Sequence, residues 1–283
     1  MTFMFEVGKV YNRRSEIHGP YRGQQYGGIS TPSNLPLIFL FTGESGEQYG
    51  YRDGWDTNGV FLYTGEGQEG DMEFVRGNRA IRDHALEGKD IHLFQALGKG
   101  EGYRYLGRFA CSTWEFRRGT DVNGEERWVI VFHLIQPEDD DEPLGSALRP
   151  APLDQLRHRA LDAASEAGQR NPREARRLYR ERSAAVREYI LARAAGTCES
   201  CGRQAPFQRP DGTTYLEPHH TRRLSDGGPD HPRWVGAVCP NCHREIHHGV
   251  GGAEKNKRLQ ERLGVLESAG ERFPKASRHE VRK

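Results

Sequence analysis

The chain has 283 residues, 35% hydrophobic and 29% charged, which gives room for two polar domains. Its longest apolar run, 35–41, is far short of the ~20 residues that span a bilayer, so a membrane role is excluded; the N-terminus lacks the basic start and apolar core of an export signal, and a cytoplasmic location is expected. The net charge of +1 hides an asymmetry: residues 1–136 hold 15 Lys+Arg against 18 Asp+Glu, residues 143–283 hold 26 against 17, and five acids sit in 137–142, so the C-terminal half suits a polyanion such as nucleic acid.

Residues 1–136 read as β-rich. Apolar runs recur between glycine-rich turns at 37–41, 60–64, 91–97, 103–110 and 128–135, several of them alternating apolar and polar residues. Residues 77–89 are the one short helix candidate. A single sheet, curved or closed into a barrel, is the expected architecture. Cys111 stands alone in a strand-like run and reads as a small buried residue.

After the acidic joint the spacing becomes helical, over 152–168 and 171–196. The second helix opens with Asn-Pro and closes with Gly. Leu178, Ala185, Tyr189 and Ile190 fall near one face, and the rest is arginine-rich, which suits either a helix tracking a phosphate backbone or a soluble connecting helix with one core face. The tail beyond about 250 is helical and basic.

Four of the five cysteines form two C-x-x-C knuckles, Cys198/Cys201 and Cys239/Cys242, separated by residues 202–238. Two such tight turns aim four thiolates at one ion, so a closed structural zinc site is expected. Six of the twelve histidines fall within 219–248. His219 and His220 end a short strand and must point to opposite faces. His243 and His247 open a helix closed by Gly249 and lie one turn apart, able to grip one ion. His248 lies about 100° further round.

The order C-x-x-C, EPHH (217–220), CPNCHREIH (239–247) resembles the HNH (ββα-metal) endonucleases, above all the zinc-knuckle subgroup of McrA-like type IV restriction enzymes. The resemblance implies that His219, His243 and His247 ligate a catalytic divalent metal such as Mg2+ or Mn2+, and that His220 is the general base. Such residues suit the reaction. Phosphodiester hydrolysis needs an activated water, which a histidine near its ordinary pKa supplies, and charge neutralisation, which an ion with open positions supplies. Arg222, Arg223 and Arg244 are candidate phosphate contacts. One departure is plain: Trp234 stands where the family has the Asn of its signature, and Asn241, inside the second knuckle, is not that residue.

The pieces VGKVY (7–11), GPYRGQQYGGIS (19–30), GYRDGWDTNGVFLYTGEG (50–67) and GNRAI (77–81) are similar to the SRA (SET and RING associated) domains. That resemblance covers about residues 5–136. It implies a curved β-barrel-like sheet that flips 5-methylcytosine out of duplex DNA into a pocket. Tyr51 and Tyr63 would sandwich the ring, Asp53 would accept from the cytosine amino group, and Thr64 would line the methyl side. Trp55 and Asp56 are the rivals to these neighbours. Arg22, Gln24 and Gln25, in the 18–28 loop, would fill the gap left by the flipped base.

The fold class expected is therefore α+β in two domains: a modified-cytosine reader over 1–136, an acidic joint and helical linker over 137–196, and an HNH domain with a basic tail over 197–283. The function expected is a modification-dependent endonuclease acting on double-stranded DNA that carries 5-methylcytosine or 5-hydroxymethylcytosine, as a homodimer. Two alternatives stay open: a catalytically impaired reader, given Trp234, and a nuclease reading another modification such as phosphorothioate.

Overall fold

The computed structural model describes residues 5–43, 53–137, 151–165, 171–222 and 230–270. In the N-terminal half, β1 (Val10–Tyr11), β2 (Ile29–Ser30), β3 (Leu37–Thr42), β4 (Gly54–Trp55), β5 (Phe61–Thr64), β6 (Asp90–Ala96), β7 (Tyr103–Thr120) and β8 (Glu126–Ile135) form one sheet. Its order is β2-β3-β6-β7-β8-β5-β4, with β1 beside β7. Among the described residues only the β3–β6 pair is parallel. A parallel pair needs a crossover, and residues 43–89 supply it, carrying α2 (Arg76–Arg82) and α3 (His84–Glu87), while the short α1 (His18–Tyr21) lies between β1 and β2.

The run 37–41 is apolar without interruption because β3 is covered on both faces. Ile38 and Leu40 join one core with Ile91, Leu93, Phe109 and Phe132, whereas Leu37, Phe39 and Phe41 join a second with Phe94 and Tyr105. The expected strand 103–110 continues to Thr120 in the structure. Its outer half is polar, so pairing with β8, rather than apolar alternation, holds it extended. The ladders of β7 slip at Leu93/Phe94 and at Cys111/Thr113, and bulges of this kind bend a long strand. Cys111 is buried, and burial pushes its thiol up to about 12. The helix expected over 77–89 divides at Asp83, and Gly88 ends α3 in a left-handed conformation (φ 64°).

The C-terminal half holds α4 (Leu153–Ser165), α5 (Pro172–Ala194), β9 (Glu217–His220), β10 (Val235–Val238), α6 (Pro240–His248) and α7 (Gly252–Gly270). The Asn171 side chain accepts from Arg173 N at the start of α5, with Pro172 in the first turn, where its missing N–H costs nothing. The buried stripe of α5 is Ala175, Arg182, Val186, Tyr189, Ile190 and Ala194; Leu178 and Ala185 lie at its half-buried margins. Leu156, Ala160, Val186 and Ile190 share one core with Leu216, Val235, Val238, Leu259 and Leu263. Both helices of the joint are thus packed into the same body as β9, β10 and α7. Arg193 pins that body, pairing with Glu199 (2.8 Å) and Glu267 (2.7 Å) while all three are buried.

Helix α5 also lies against the large sheet. Ser112 Oγ donates to Ala175 O (2.6 Å), Arg182 to Ser112 O (3.1 Å) and Arg176 to Gly59 O (2.8 Å). Arg176 and Arg182 are therefore engaged within the protein and do not join a phosphate-tracking face. Among the described residues no helix is long and apolar enough to cross a membrane.

Candidate metal centres and base-reading cavity

The four knuckle cysteines converge. The Sγ atoms of Cys198, Cys201, Cys239 and Cys242 all lie within 4.8 Å of one another. The first turn is closed by Gly202 N donating to Cys198 O (2.8 Å), with Gly202 at φ 72°. The second forms because Cys239 caps α6 and Pro240 starts it. The backbone N–H of Cys239 donates to Cys198 Sγ (3.2 Å), so the two knuckles touch directly. Burial works against the Cys201 thiolate, yet the Arg203 backbone N–H and the neighbouring thiols bring it down to about 7. Four sulfurs at this spacing fit a zinc ion, which would displace their protons.

A second cluster forms across β9 and α6. The donor atoms of His219, His243 and His247 lie within 4.8 Å of one another, with ring centroids 5.0–5.1 Å apart. β9 pairs with β10, His219 opposite Gly236. A Cβ on Gly236 would lie 3.3 Å from both Leu259 and Leu263, so glycine lets α7 close on the strand. Two of the rings are held by their other nitrogen. His243 Nδ1 donates to Glu217 Oε2 (2.6 Å), and its Nε2 is buried without a protein partner. His219 Nε2 donates to Asn256 Oδ1 (2.9 Å), which leaves the lone pair on Nδ1, and Asn256 Nδ2 donates to Thr221 O (2.7 Å). A ligating histidine anchored through its second nitrogen is the usual support of a metal site. The cluster runs from buried His219 to exposed His247, so an ion there would keep open positions.

His220 points the other way, as strand alternation requires. Its Nε2 donates to Asp230 Oδ1 (3.1 Å), both side chains are buried, and its Nδ1 has no protein partner. Burial opposes the Asp230 carboxylate, but His220, Arg182 and the Tyr179 hydroxyl outweigh it and hold Asp230 below the usual carboxylate range. Sequence reasoning missed Asp230, Glu217 and Asn256. Glu217 was within reach, since residues two apart on a strand share a face. Asp230 and Asn256 carry no local signal.

Arg244 is exposed on α6. Arg222 is not available as a phosphate contact: it stacks on Trp234 at 3.9 Å and donates to Glu87 O (2.7 Å). Arg223 lies outside the described residues. His248 is exposed beside His247, with ring centroids 6.1 Å apart, and is not one of the three converging histidines.

In the large sheet a cavity of about 1010 Å³ opens between β3, β5 and α2, and Asp53, Tyr63, Thr64 and Gln24 all line it. Thr64 N donates to Asp53 Oδ1 (2.8 Å). Burial raises the Asp53 carboxyl above the ordinary range, against hydrogen bonds from Thr64 and Thr42. Tyr63 has its hydroxyl fixed on Gly28 O (2.8 Å), and a Cβ on Gly28 would strike that hydroxyl at 2.7 Å. Tyr51 lies outside the described residues. Asp56 does not reach the cavity: it closes its own turn, accepting from Asn58 N and Val60 N (both 2.8 Å). Trp55 is half exposed on the edge strand and packs on Phe61 and Phe109. Arg22 is exposed at φ 65° and does not line the cavity, and Gln25 beside it is exposed. Phe41 and Tyr103 are further aromatic planes on the cavity, with Arg13 stacked on Phe41 at 3.6 Å. Phe41, which the sequence shows only as part of the apolar run 37–41, belongs to the second core and also walls the cavity, one residue before the end of β3.

The family profile described as the ScoMcrA-like SRA domain matches residues 7–143, and the HNH endonuclease profile matches residues 198–249. The type IV methyl-directed restriction enzyme EcoKMcrA of Escherichia coli (strain K12) is 37% identical over 153 residues, covering 52% of this chain and 53% of that protein. The chain thus spans about half the length of this curated relative. Among solved structures, the type IV phosphorothioation-dependent restriction endonuclease ScoMcrA aligns with 94% of this chain and 61% of its own, at 20% identity and a TM-score of 0.40. The modification-dependent TagI restriction endonuclease aligns with 86% of this chain and 78% of its own, at 20% identity and a TM-score of 0.37. The chain therefore carries a ScoMcrA-like SRA domain followed by an HNH endonuclease domain.

Proposed function

We propose that this protein is a modification-dependent DNA endonuclease. Residues 1–136 would read a flipped 5-methylcytosine, or its hydroxymethyl form, and residues 197–283 would hydrolyse a nearby phosphodiester. The joint, 137–196, sets the reach between them. The observation that carries the reading is the division of labour on β9. His219 joins His243 and His247 on one face, while its neighbour His220 turns to Asp230 on the other.

In this reading a divalent ion such as Mg2+ or Mn2+, held by His219, His243 and His247, supplies positive charge to the scissile phosphate and the leaving oxygen. His220 takes the water proton at Nδ1. Asp230 fixes the tautomer that leaves a lone pair there and balances the imidazolium that forms. Arg244 sits where it can meet a phosphate. The four cysteines would hold a structural zinc, which would join the end of α5 to the start of α6.

In the reader, Asp53 would accept from the cytosine amino group and Thr64 would line the methyl side. Tyr63 would support one face of the base, and Tyr51 the other. Gln24 and Gln25, with Arg22 on the same exposed loop, would meet the gap in the duplex. The modest acidity of this half suits a domain that grips by inserting rather than by charge. Cutting both strands with one site per chain calls for a homodimer.

The test is one plasmid in methylated, hydroxymethylated, phosphorothioated and unmodified forms, incubated with Mg2+ or Mn2+. Cutting of the methylated form alone, or with the hydroxymethylated form, is expected. Cutting of the phosphorothioated form alone moves the specificity to that modification. Equal cutting of all forms removes the reader assignment. Binding without cutting under any divalent ion leaves a reader with a silent nuclease domain.

A further inference from the structure

Trp234, at the position of the missing Asn, reaches out of the nuclease body. Its indole N–H donates to Leu86 O (3.1 Å), and Arg222, stacked on the indole, donates to Glu87 O (2.7 Å). Both acceptors belong to the C-terminal end of α3, where carbonyls lack helical partners and carry partial negative charge. Gly88 makes room for the contact. A Cβ there would lie 2.5 Å from Arg222 and 2.9 Å from the Trp234 ring.

The other end of the same helical segment is at the cavity. Arg76 and Gly77, which begin α2, line it. Arg76 holds φ 45°, a conformation that a residue with a side chain adopts only under constraint. Asp83 N bonds to Arg79 O (2.9 Å) and Glu87 N to Asp83 O (2.9 Å), so hydrogen bonds run across the break between α2 and α3. The segment therefore spans from the cavity wall to Trp234. Trp234 then grips the residue beside His220: Thr221 N (2.8 Å) and Thr221 Oγ1 (3.1 Å) both donate to Trp234 O. A local brace for the end of β9 comes from Asn256, bonded to Thr221 O and His219. Trp234 is thus released to tie that strand end to the other domain. On the opposite side, Arg182 of α5 holds Ser112 O of the large sheet and lies close enough to Asp230 to act on its charge.

We propose that Trp234 and Arg222 are positioning residues, which carry occupancy of the cavity through α2 and α3 to the end of β9, where His220 sits. The proposal rests on the reader–nuclease reading above. A base entering against Arg76 would shift a helix whose far end is bonded to Trp234, which in turn holds Thr221 beside the general base. Modification would then govern the geometry of His220 as well as residence on DNA.

The test uses the full chain, loaded with zinc and Mg2+, and two duplexes that differ by one central 5-methylcytosine. Amide hydrogen exchange in 217–222 and 234–238 is expected to slow at least about threefold more with the methylated duplex in the unaltered protein. Two variants cut the link: Trp234→Phe keeps a ring under Arg222 but has no N–H, and Gly88→Ala blocks the seat. In both, exchange should no longer distinguish the duplexes. Cutting at saturating DNA should fall about tenfold while Kd for the methylated duplex stays within about twofold. A methyl-dependent response that survives in both variants overturns the proposal. So does its absence from the unaltered protein despite preferential binding, or a parallel fall of binding and cutting in the variants. Equal Kd for the two duplexes sinks the reader assignment and the coupling with it. The exchange response without any cutting sinks only the nuclease reading.

Discussion

His220 Nε2 lies 3.1 Å from Asp230 Oδ1, inside the protein, ten positions apart in sequence. A buried histidine with one nitrogen so committed has a fixed tautomer and a fixed ring. Asp230→Asn keeps the shape but can present its amide N–H instead of an oxygen, which reverses the tautomer. Cutting should fall by about 10²-fold or more while DNA binding is unchanged. His220→Ala should behave alike, and single-turnover cleavage beside a binding titration separates the two quantities.

Glu217 holds His243 by Nδ1 (2.6 Å) and would orient its Nε2 towards an ion without itself being a ligand. Glu217→Gln should weaken the catalytic metal by roughly 10- to 100-fold, so that more Mn2+ restores cutting. A titration of rate against Mn2+ reads this directly. Unchanged metal dependence would mean that the Glu217–His243 pair is only structural.

The zinc prediction concerns stability rather than chemistry. The knuckles join α5 to α6, and Cys198, Cys239 and Cys242 are part of the C-terminal core. Stripping zinc with a strong chelator, or Cys239→Ser, should lower the melting temperature of that body by roughly 10 °C or more, because ion binding and folding are linked. Calorimetry with and without zinc checks it, and a melting curve that ignores the chelator would refute the site.

Acid should unfold the protein through its buried histidines. Burial lowers His84 and His231 to about 4 and His92 to about 3, against an ordinary 6.5. The unfolded chain therefore binds more protons between these values, so stability falls as pH drops from 6.5 towards 4. Each of these groups contributes up to about 3 kcal/mol of that loss, at 1.36 kcal/mol per unit. Denaturant unfolding at pH 7 and pH 5 should show the decline, and His84→Gln should flatten it.

In the proposed pocket Asp53 would accept most strongly from a cytosine amino group when ionised, and burial raises its carboxyl. Affinity for methylated DNA should therefore weaken on acidification at a pH above the ordinary carboxylate range. Asp53→Asn should reduce methylated-DNA affinity about tenfold or more and remove that pH dependence. It should cost no stability near neutral pH, where the ionised buried group is itself unfavourable. Binding measured from pH 5 to pH 8 tests both parts.

Much of this was legible in the sequence for local reasons. C-x-x-C turns, the strand pair His219–His220 and the one-turn pair His243–His247 each fix their directions within five residues. The α+β organisation follows from periodicity in the same way. The cavity was legible only in part. Asp53, Tyr63 and Thr64 line it, but Asp56 belongs to its own turn and Trp55 to a sheet edge, because neighbouring strand residues alternate and register decides which of them faces in.

By itself, then, the sequence determined which side chains could bind metal, since ligand spacing is a property of single turns and strands. The tertiary structure alone decided what supports them. Asp230 comes to His220 from another segment, Asn256 to His219 from α7, and Leu86 to Trp234 from the other domain. Such contacts are set by how elements pack, over separations at which the chain has no local geometry to transmit. Trp234 is the clearest case. In the sequence it is a lost Asn, whereas in the fold it is a contact between the two domains.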